Sequence, residues 1–483
     1  MKIWEFKTPF QMNLDPNNRW VVLAQRLPWD TMAGLYLSKM HSTMGAPTVD
    51  ARIVIGAVII KHKLNLSDQE TIATIQENVY MQYFLGLEAY TPDKVFDSSL
   101  FVKIRERLGA ADFDQFVQEL IRMEQEAGKK RAGKQENDNE QPPTHQGSLK
   151  VDATVADAEI KYPTDLDLLN GSREKSEELI DQLSKLLPNQ IKPRTYRRVA
   201  RKEYLKVALK KRKSRKVLRQ GIRRQLQYLR RNLGHIDRLQ EQLTDKGLAR
   251  REYDYLEVIR RVYSQQREMY RQEKNSCAHR IVSIHQPHVR PIVRGKAKAR
   301  VEFGAKLGVS LWNGYARIDR ISWEAYNEAE DLKTQVERYR ELMGYYPERV
   351  LADKIYLNRE NREWLKKLRI QVVGKPLGRP SRFSQSKSAR RKLAREMAKR
   401  NQVEGKFGEG KRRYQLNKIK AKSAQTAESW IGAIFLVMNL ARWSRTFAWL
   451  YARITIFIRV RIENDRLSAN NRMSKTCFCF AIN

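Results

Sequence analysis

Three acidic residues lie where their surroundings make a carboxylate unexpected. Asp152 interrupts an alternating apolar segment, Asp353 ends a short apolar run, and Glu404 lies in a strongly basic stretch. Hard cations such as Mg²⁺ prefer carboxylate oxygen ligands. Two such ions about 3.5–4 Å apart can stabilise both the attacking and the leaving oxygen of a phosphodiester exchange. These three acids are therefore candidate metal ligands for phosphoryl transfer.

Each acid also has an ordinary structural explanation. Asp152 could be a strand residue that faces solvent, and Asp353 could be a polar residue of a turn. Glu404 could form an ion pair within its helix, because Arg400 lies four residues earlier. Taken singly, the three signals are weak.

The elements that would position the first two acids are predicted strands. LKVDATVADAEI alternates apolar and polar residues as a strand does, and Asp152 lies on the face opposite to its apolar residues. The nearby Asp157 and Glu159 could compete with Asp152 as metal ligands. The apolar face consists of Leu149, Val151, Ala153 and Val155. RVLADK predicts a buried strand that ends on Asp353. Asn358 is then expected to cap a helix, NREWLKKL, and IQVVGK predicts the next strand. This unit resembles a parallel βαβ crossover.

The third acid lies in a basic helix. Residues 375–422 contain 17 Lys or Arg against three acidic residues. The run from Ser384 to Arg400 predicts a long helix, and three glycines are expected to weaken or end it just past Glu404. These glycines are Gly405, Gly408 and Gly410.

Composition indicates a polyanionic partner. The chain has 483 residues and a formal net charge of +38, far beyond what solubility requires. An anionic membrane surface would need an anchor, yet the apolar run Phe447–Ile458 is interrupted by Arg453 and is too short to span a bilayer. MKIWEFKTPF lacks the features of a signal peptide, and three cysteines offer no disulfide framework. We therefore expect a cytoplasmic protein without a membrane partner.

The chain should contain several folded parts. Residues 1–127 are predicted to form an all-helical domain for DNA binding or dimerisation, with a capping box from Ser67 to Glu70. LSDQETIATIQEN could belong to a helix-turn-helix or to an ordinary packed helix pair. Residues 128–147 are polar and predict a flexible linker. Asn313-Gly314 predicts a type I′ hairpin, and residues 441–483 are expected to be a divergent tail.

Residues 165–290 are predicted to be a basic helical insertion. Between Lys192 and Arg231 there are 18 Lys or Arg against one acidic residue. The insertion could track a DNA backbone, or it could be a dimerisation arm, since Leu, Ile and Tyr recur along it. Arg290, Arg294 and Lys296 could contact phosphates or belong to a solvated loop. Four possible transition-metal ligands also lie close together in sequence: Cys277, His279, His285 and His288. Their spacing fits none of the usual zinc patterns.

Three segments together resemble bacterial insertion-sequence transposases of the DDE type, in the broad group of families four and five. They are LKVDATVADAEIKYPTDLDLLN, RVLADKIYLN and RNQVEGKFGEGKRRYQLNKI. FDSSLFVKIRERLG is similar to the helical N-terminal domain of that group, so the resemblance runs from about residue 10 to 440. It implies an α/β fold in which residues 148–440 form an RNase H-like mixed-sheet core around the helical insertion. Asp152 would lie on the first strand, Asp353 on the fourth and Glu404 on the following helix.

The resemblance also implies a DNA site around Glu404. The group has a motif of Tyr, Arg, Glu and Lys, and Arg400, Glu404 and Lys411 meet its spacing, whereas Met397 occupies the Tyr position. Arg400, Lys411 and Lys406 would contact DNA phosphates. The glycines beside Glu404 would let the backbone approach DNA closely.

The function implied is DNA transposition. Two Mg²⁺ or Mn²⁺ ions would support cleavage at the ends of an insertion sequence and strand transfer of 3′-hydroxyls into target DNA. The partners would be double-stranded DNA, as terminal inverted repeats and target, and a second copy of the chain, with the homodimer located at the bacterial nucleoid. The alternatives are a metal-dependent nuclease, and an inactive transposase remnant or other basic DNA-binding protein.

Overall fold

The computed structural model describes most of the chain and divides it into two compact units. The described residues are 5–9, 13–40, 48–131, 144–187, 191–243, 247–293, 301–374 and 387–445. One unit comprises Met1–Pro143, Leu311–Arg317 and Gly432–Asn483, and the other comprises Thr144–Ser310 and Ile318–Ile431. Arg294, Lys296, most of the predicted linker and nearly all of the predicted tail lie outside the described residues. The predicted domain boundaries stay predictions.

The N-terminal part of the first unit is helical, as predicted. Its helices are α1 (Arg19–Arg26), α2 (Trp29–Leu37), α3 (Ala51–Leu64), α4 (Asp68–Glu77), α5 (Val79–Leu85), α6 (Leu100–Arg107) and α7 (Ala110–Arg131). The capping box is confirmed, because the Glu70 amide donates to Ser67 Oγ at 3.1 Å and the Ser67 amide donates to Glu70 Oε2 at 2.8 Å. Asn78 ends α4 and caps α5. The possible DNA role of this helix pair stays a prediction.

A mixed sheet lies mainly in the second unit, and only its residues 311–317 belong to the first unit. Among the described residues its strands are β1 (Ser148–Asp157), β2 (Arg290–Val293), β3 (Val301–Trp312), β4 (Tyr315–Ser322), β5 (Arg349–Leu351) and β6 (Gln371–Val373). Their order is β2-β3-β1-β5-β6, and β4 also pairs with β3. β1, β5 and β6 are parallel, whereas β2 is antiparallel to β3. This topology confirms the α/β prediction and is consistent with an RNase H-like core.

The strand patterns agree with the sequence. The four apolar residues predicted for one face of β1 are at most 1% exposed, whereas Asp152 is only partly buried. Asn313 and Gly314 have φ of 50° and 85°, which confirms the predicted hairpin turn. At Gly304, a Cβ atom would lie 1.9 Å from the Ala156 carbonyl oxygen, so only glycine lets β3 approach β1 so closely.

The basic insertion is a helical layer with its own core. It contains α8 (Asp165–Lys185), α9 (Arg197–Ala208), α10 (Arg215–Gln240) and α11 (Arg250–Gln272). The apolar residues that recur along it pack together, and examples are Leu179, Leu183, Leu229, Ile236 and Ile259, all fully buried. Other large apolar residues of the insertion, among them Val199, Leu205 and Leu209, are exposed, so the dimerisation arm stays a prediction.

The C-terminal part of the second unit completes the predicted crossover and corrects one helix. α12 (Asp331–Met343) precedes β5, and α13 (Arg359–Lys367), capped by Asn358, joins β5 to β6. The long basic helix α14 (Lys387–Arg413) runs through all three glycines, so the prediction that it would weaken or end near Glu404 was wrong. α14 packs on β1, β5 and β6 and buries Val403 completely, and this packing outweighs the low helix propensity of glycine.

Residues 424–445 are also helical. Over the part of the chain that is described, no helix combines the length and the apolar character that crossing a bilayer requires.

Candidate active site

The first two acids belong to neighbouring parallel segments of the sheet, Asp152 within β1 and Asp353 two residues after the end of β5. β1 and β5 pair in parallel, with Leu149 opposite Val350 and Lys150 opposite Leu351. If this register continues for two more residues, Asp152 lies opposite Asp353. Adjacent strands are about 4.8 Å apart, and opposed residues of a parallel pair lie on the same face. The two acids would then lie on one face at this edge of the β1–β5 pair.

Asp353 lies where the buried run ends. Val350, Leu351 and Ala352 are at most 1% exposed, whereas Asp353 is exposed, as the sequence predicted. Its Oδ1 accepts the Lys354 amide at 2.8 Å, an interaction that also suits a turn residue. The carboxylate is thus accessible at the end of the strand.

One guanidinium connects the other two acids. Arg400 donates from Nη1 to Asp152 Oδ2 at 3.0 Å and from Nη2 to Glu404 Oε1 at 3.0 Å. The Arg400 and Asp152 side chains are 14% and 17% exposed, whereas that of Glu404 is 57% exposed. The ion pair predicted between Arg400 and Glu404 is present, and the same arginine reaches across from α14 to β1.

The three carboxylates fit a hard divalent cation by their chemistry. Two of them, Asp152 and Glu404, converge on one positively charged group, the Arg400 guanidinium. Among the described residues, no three His, Cys, Asp or Glu side chains are already grouped closely enough to hold a metal ion. The three acids therefore supply oxygens of a suitable kind. Two of the acids, Asp152 and Glu404, are linked through Arg400.

A second cation on α14 also contacts β1. Lys411 Nζ lies 3.2 Å from Asp157 Oδ2 and 3.5 Å from Glu302 Oε1. Eleven helical residues separate Arg400 from Lys411 and five strand residues separate Asp152 from Asp157. Both separations correspond to about 16 Å. α14 therefore runs alongside β1 in the same direction, and ion pairs of Arg400 and Lys411 connect the two elements.

Two further predicted DNA contacts, Lys406 and Arg290, are also paired with acids of the chain. Lys406 Nζ lies 2.9 Å from Glu409 Oε2. Arg290 Nε donates to Glu324 Oε1 at 3.0 Å, and its side chain is only 11% exposed. Contacts of these cations with DNA stay predictions.

Two buried groups near the acids were missed from the sequence. Tyr356 is fully buried, and its hydroxyl has no hydrogen-bond partner within the described ranges. Burial, followed by the nearby Glu328 and Asp152 carboxylates, raises the pKa of Tyr356. Burial and then Lys399 lower the pKa of Lys150, which is 7% exposed. The signal for Lys150 was available, because it lies two residues before Asp152 on the same face of an alternating strand.

The histidines next to Cys277 make separate contacts. His279 Nδ1 lies 3.0 Å from Glu324 Oε1, and the His285 ring contacts the Tyr255 hydroxyl at 3.0 Å. The His288 and Trp323 ring centroids are 4.3 Å apart. Burial, and then Arg290, lower the pKa of His288 to about 4. The three rings thus have separate partners.

Comparisons with known proteins match two segments of the chain. Residues 9–107 match a family model described as a transposase domain, and residues 350–441 match a transposase DDE domain. An uncharacterized protein, ORF8 in the nfe locus of Rhizobium meliloti, is 26% identical over 164 residues, which is 33% of this chain and 72% of that protein. The DDE match includes Asp353 and Glu404, whereas Asp152 lies outside both matched ranges.

Proposed function

We propose that this chain, which its two family matches identify as an insertion-sequence DDE transposase, cleaves DNA at the ends of its element and joins the freed 3′-hydroxyls to target DNA. The observation that carries the proposal is the arrangement of three acids, one on β1, one just after β5 and one on α14. In support of it, the β1–β5 register, if continued by two residues, would set Asp152 opposite Asp353, and Arg400 hydrogen-bonds to both Asp152 and Glu404.

In this proposal, Asp152, Asp353 and Glu404 hold two divalent cations, Mg²⁺ or Mn²⁺. Such cations, when bound, lower the pKa of a water or hydroxyl nucleophile and stabilise charge on the leaving oxygen. Asp152 would contribute oxygens from the central strand β1, Asp353 from the segment just after β5, and Glu404 from the packed helix α14. Strands and helices keep ligands in place better than loops do, so Asp152 and Glu404 are firmly positioned.

Arg400 is proposed to contact the DNA near the cleaved bond. A guanidinium can donate its paired N–H groups to a carboxylate or to a phosphate. Its present partners, Asp152 and Glu404, are the proposed metal ligands. We expect Arg400 to exchange one of these carboxylates for a phosphate oxygen when DNA and cations bind. Binding of the cations and binding of DNA would then be coupled. Lys406 and Lys411 would contact phosphates further along α14.

The proposed partners follow from the reaction. The protein would bind the terminal inverted repeats of its element and a target duplex in the nucleoid of the cytoplasm. Because two ends must be brought together, we expect a homodimer in the DNA complex.

The experiment is strand cleavage and joining on the element's terminal repeats with Mg²⁺ or Mn²⁺. We expect Asp152→Asn to reduce cleavage by about 10³-fold, since metal catalysis contributes several kcal/mol. Asp157→Asn is the matched control, an acid at the end of the same strand, and should change cleavage far less. Unchanged cleavage in Asp152→Asn would refute the assignment.

The same assay separates the competing functions. Cleavage without joining to target DNA would indicate a nuclease. Binding to the repeats without cleavage in the unaltered protein would indicate an inactive remnant.

A further inference from the structure

The outer face of α9 has a row of cations. Arg198, Lys202 and Lys206 are each four residues apart on the helix, and Lys210 follows at the same spacing just past its end. Residues four apart lie on the same side of a helix. All four are exposed. We call these four residues the cationic stripe.

The acids near α9 are used on its inner face. Glu203 pairs with Arg224 at 2.9 Å and also accepts the Tyr228 hydroxyl at 3.0 Å. Tyr204 donates to Asp167 at 2.5 Å. These two acids are directed toward other helices of the insertion, and the three α8 glutamates that line a cavity with Arg198 pair with Arg173 or Lys175 instead.

The stripe itself is unneutralised. Within the described part of the chain, none of its four cations forms an ion pair. Like charges four residues apart destabilise a helix by about 0.2–0.5 kcal/mol per pair. The turn after α9 adds three exposed cations and no acid. These are Lys211, Arg212 and Lys213. An uncompensated row of this kind favours a polyanionic ligand over a solvated surface.

We propose that the cationic stripe binds the phosphate backbone of double-stranded DNA at a site distinct from the three acids. The proposal rests on the proposed function in taking DNA as the polyanion. Successive stripe cations are about 6 Å apart along the helix axis, a length over which one DNA strand has about two phosphates. The stripe can therefore contact several phosphates of one strand without reading its sequence.

The test is the salt dependence of binding to a 30-base-pair duplex of arbitrary sequence. The full chain is used with the Asp152→Asn substitution, so that no cleavage occurs during the measurement. One variant combines Arg198→Gln, Lys202→Gln, Lys206→Gln and Lys210→Gln. Each lost phosphate contact lowers the slope of log K against log salt by about 1, so we expect a slope smaller by about 4.

The matched control removes the same charge from another helix of the insertion. It combines Arg250→Gln, Arg251→Gln, Arg261→Gln and Arg267→Gln, four exposed cations of α11. We expect its slope to change by less than about 1. Circular dichroism and thermal unfolding of both variants check that the insertion remains folded.

Each other outcome has a defined meaning. Equal losses of slope in both variants would show a general charge effect and overturn the stripe proposal, as would an unchanged slope in the stripe variant. A change of oligomeric state with DNA binding unaltered would indicate a protein partner instead and also overturn it. Failure of the unaltered chain to bind DNA would refute the proposed function itself. A lower slope in the stripe variant, with full cleavage by Asp152→Asn, would support the stripe and refute only the catalytic assignment.

Discussion

The cations of α14 and those of α9 belong to the same compact unit but have different surroundings. On α14, Arg400, Lys406 and Lys411 each contact carboxylates of the chain. On α9, the cationic stripe contacts none within the described residues. The first helix lies against the central strand of the sheet, and the second is an outer helix of the insertion.

This difference separates two uses of positive charge. A cation that is already hydrogen-bonded to an acid holds that acid in place, so that Arg400 orients Asp152 and Lys411 fixes the end of β1 at Asp157. A cation without an acid gains most from an external anion, because nothing within the chain neutralises it. α14 is therefore suited to arranging chemistry, and α9 to holding a polyanion. Net charge alone does not distinguish the two helices.

Removal of one cation from each helix should show the largest contrast in stability. Arg400→Ala removes a charged hydrogen-bond donor from the partly buried Asp152, which still accepts the Ala153 amide, and we expect it to lower the free energy of unfolding by about 1–3 kcal/mol. Most of this loss comes from Asp152, since an exposed pair such as that with Glu404 contributes little. Lys202→Ala removes a stripe cation and should change stability by less than about 0.5 kcal/mol. Urea unfolding of both variants measures the difference.

Lys406→Ala provides a control on α14 itself. Its pair with Glu409 is local to the helix, so the loss should be about 0.5 kcal/mol or less. If Arg400→Ala were no more costly than this control, Arg400 would not hold Asp152.

A smaller effect is expected from pH. The hydrogen bond from Lys399 holds the pKa of Glu396, on α14, below its ordinary value of 4.5, and Arg349 acts in the same direction. The unfolded chain therefore binds this proton more readily than the folded chain does. The stability that Glu396 contributes is present above about pH 4.5 and is lost as the pH falls through its folded value.

Thermal unfolding between pH 6 and pH 3 measures this effect. Glu396→Gln should show a shallower loss of stability in acid than the unaltered protein, because its side chain does not titrate. Lys202→Gln should follow the unaltered protein, since the stripe has no acid partner. Parallel curves for Glu396→Gln and the unaltered protein would show that the pairing on α14 does not contribute.

Local patterns predicted the elements well. The alternation around Asp152, the Ser67 capping box and the Asn313-Gly314 turn each depend on neighbouring residues, and each is found in the structure. The parallel unit that leads to Asp353 was also predicted, because strand, cap, helix and strand follow one another directly. Each of these features is determined by residues that are close together in the sequence.

Contacts between distant segments were not predictable in the same way. Arg400 and Asp152 are 248 residues apart, and no local pattern pairs them. The course of α14 through Gly405 and its neighbours depends on packing against the sheet, which a helix propensity does not contain. The core of the insertion likewise required the partner helices, since the spacing of its leucines fitted either a buried face or a dimer surface.

The most direct test of the three-acid site is to locate the bound metal by local backbone cleavage. Fe²⁺ replaces Mg²⁺, ascorbate and peroxide generate hydroxyl radicals at the ion, and mass spectrometry locates the cuts. The account predicts cuts close to residues 152, 353 and 404 together, suppressed both by excess Mg²⁺ and by Asp152→Asn. Cuts confined to one of these segments, or located instead around Cys277 and His288, would contradict it.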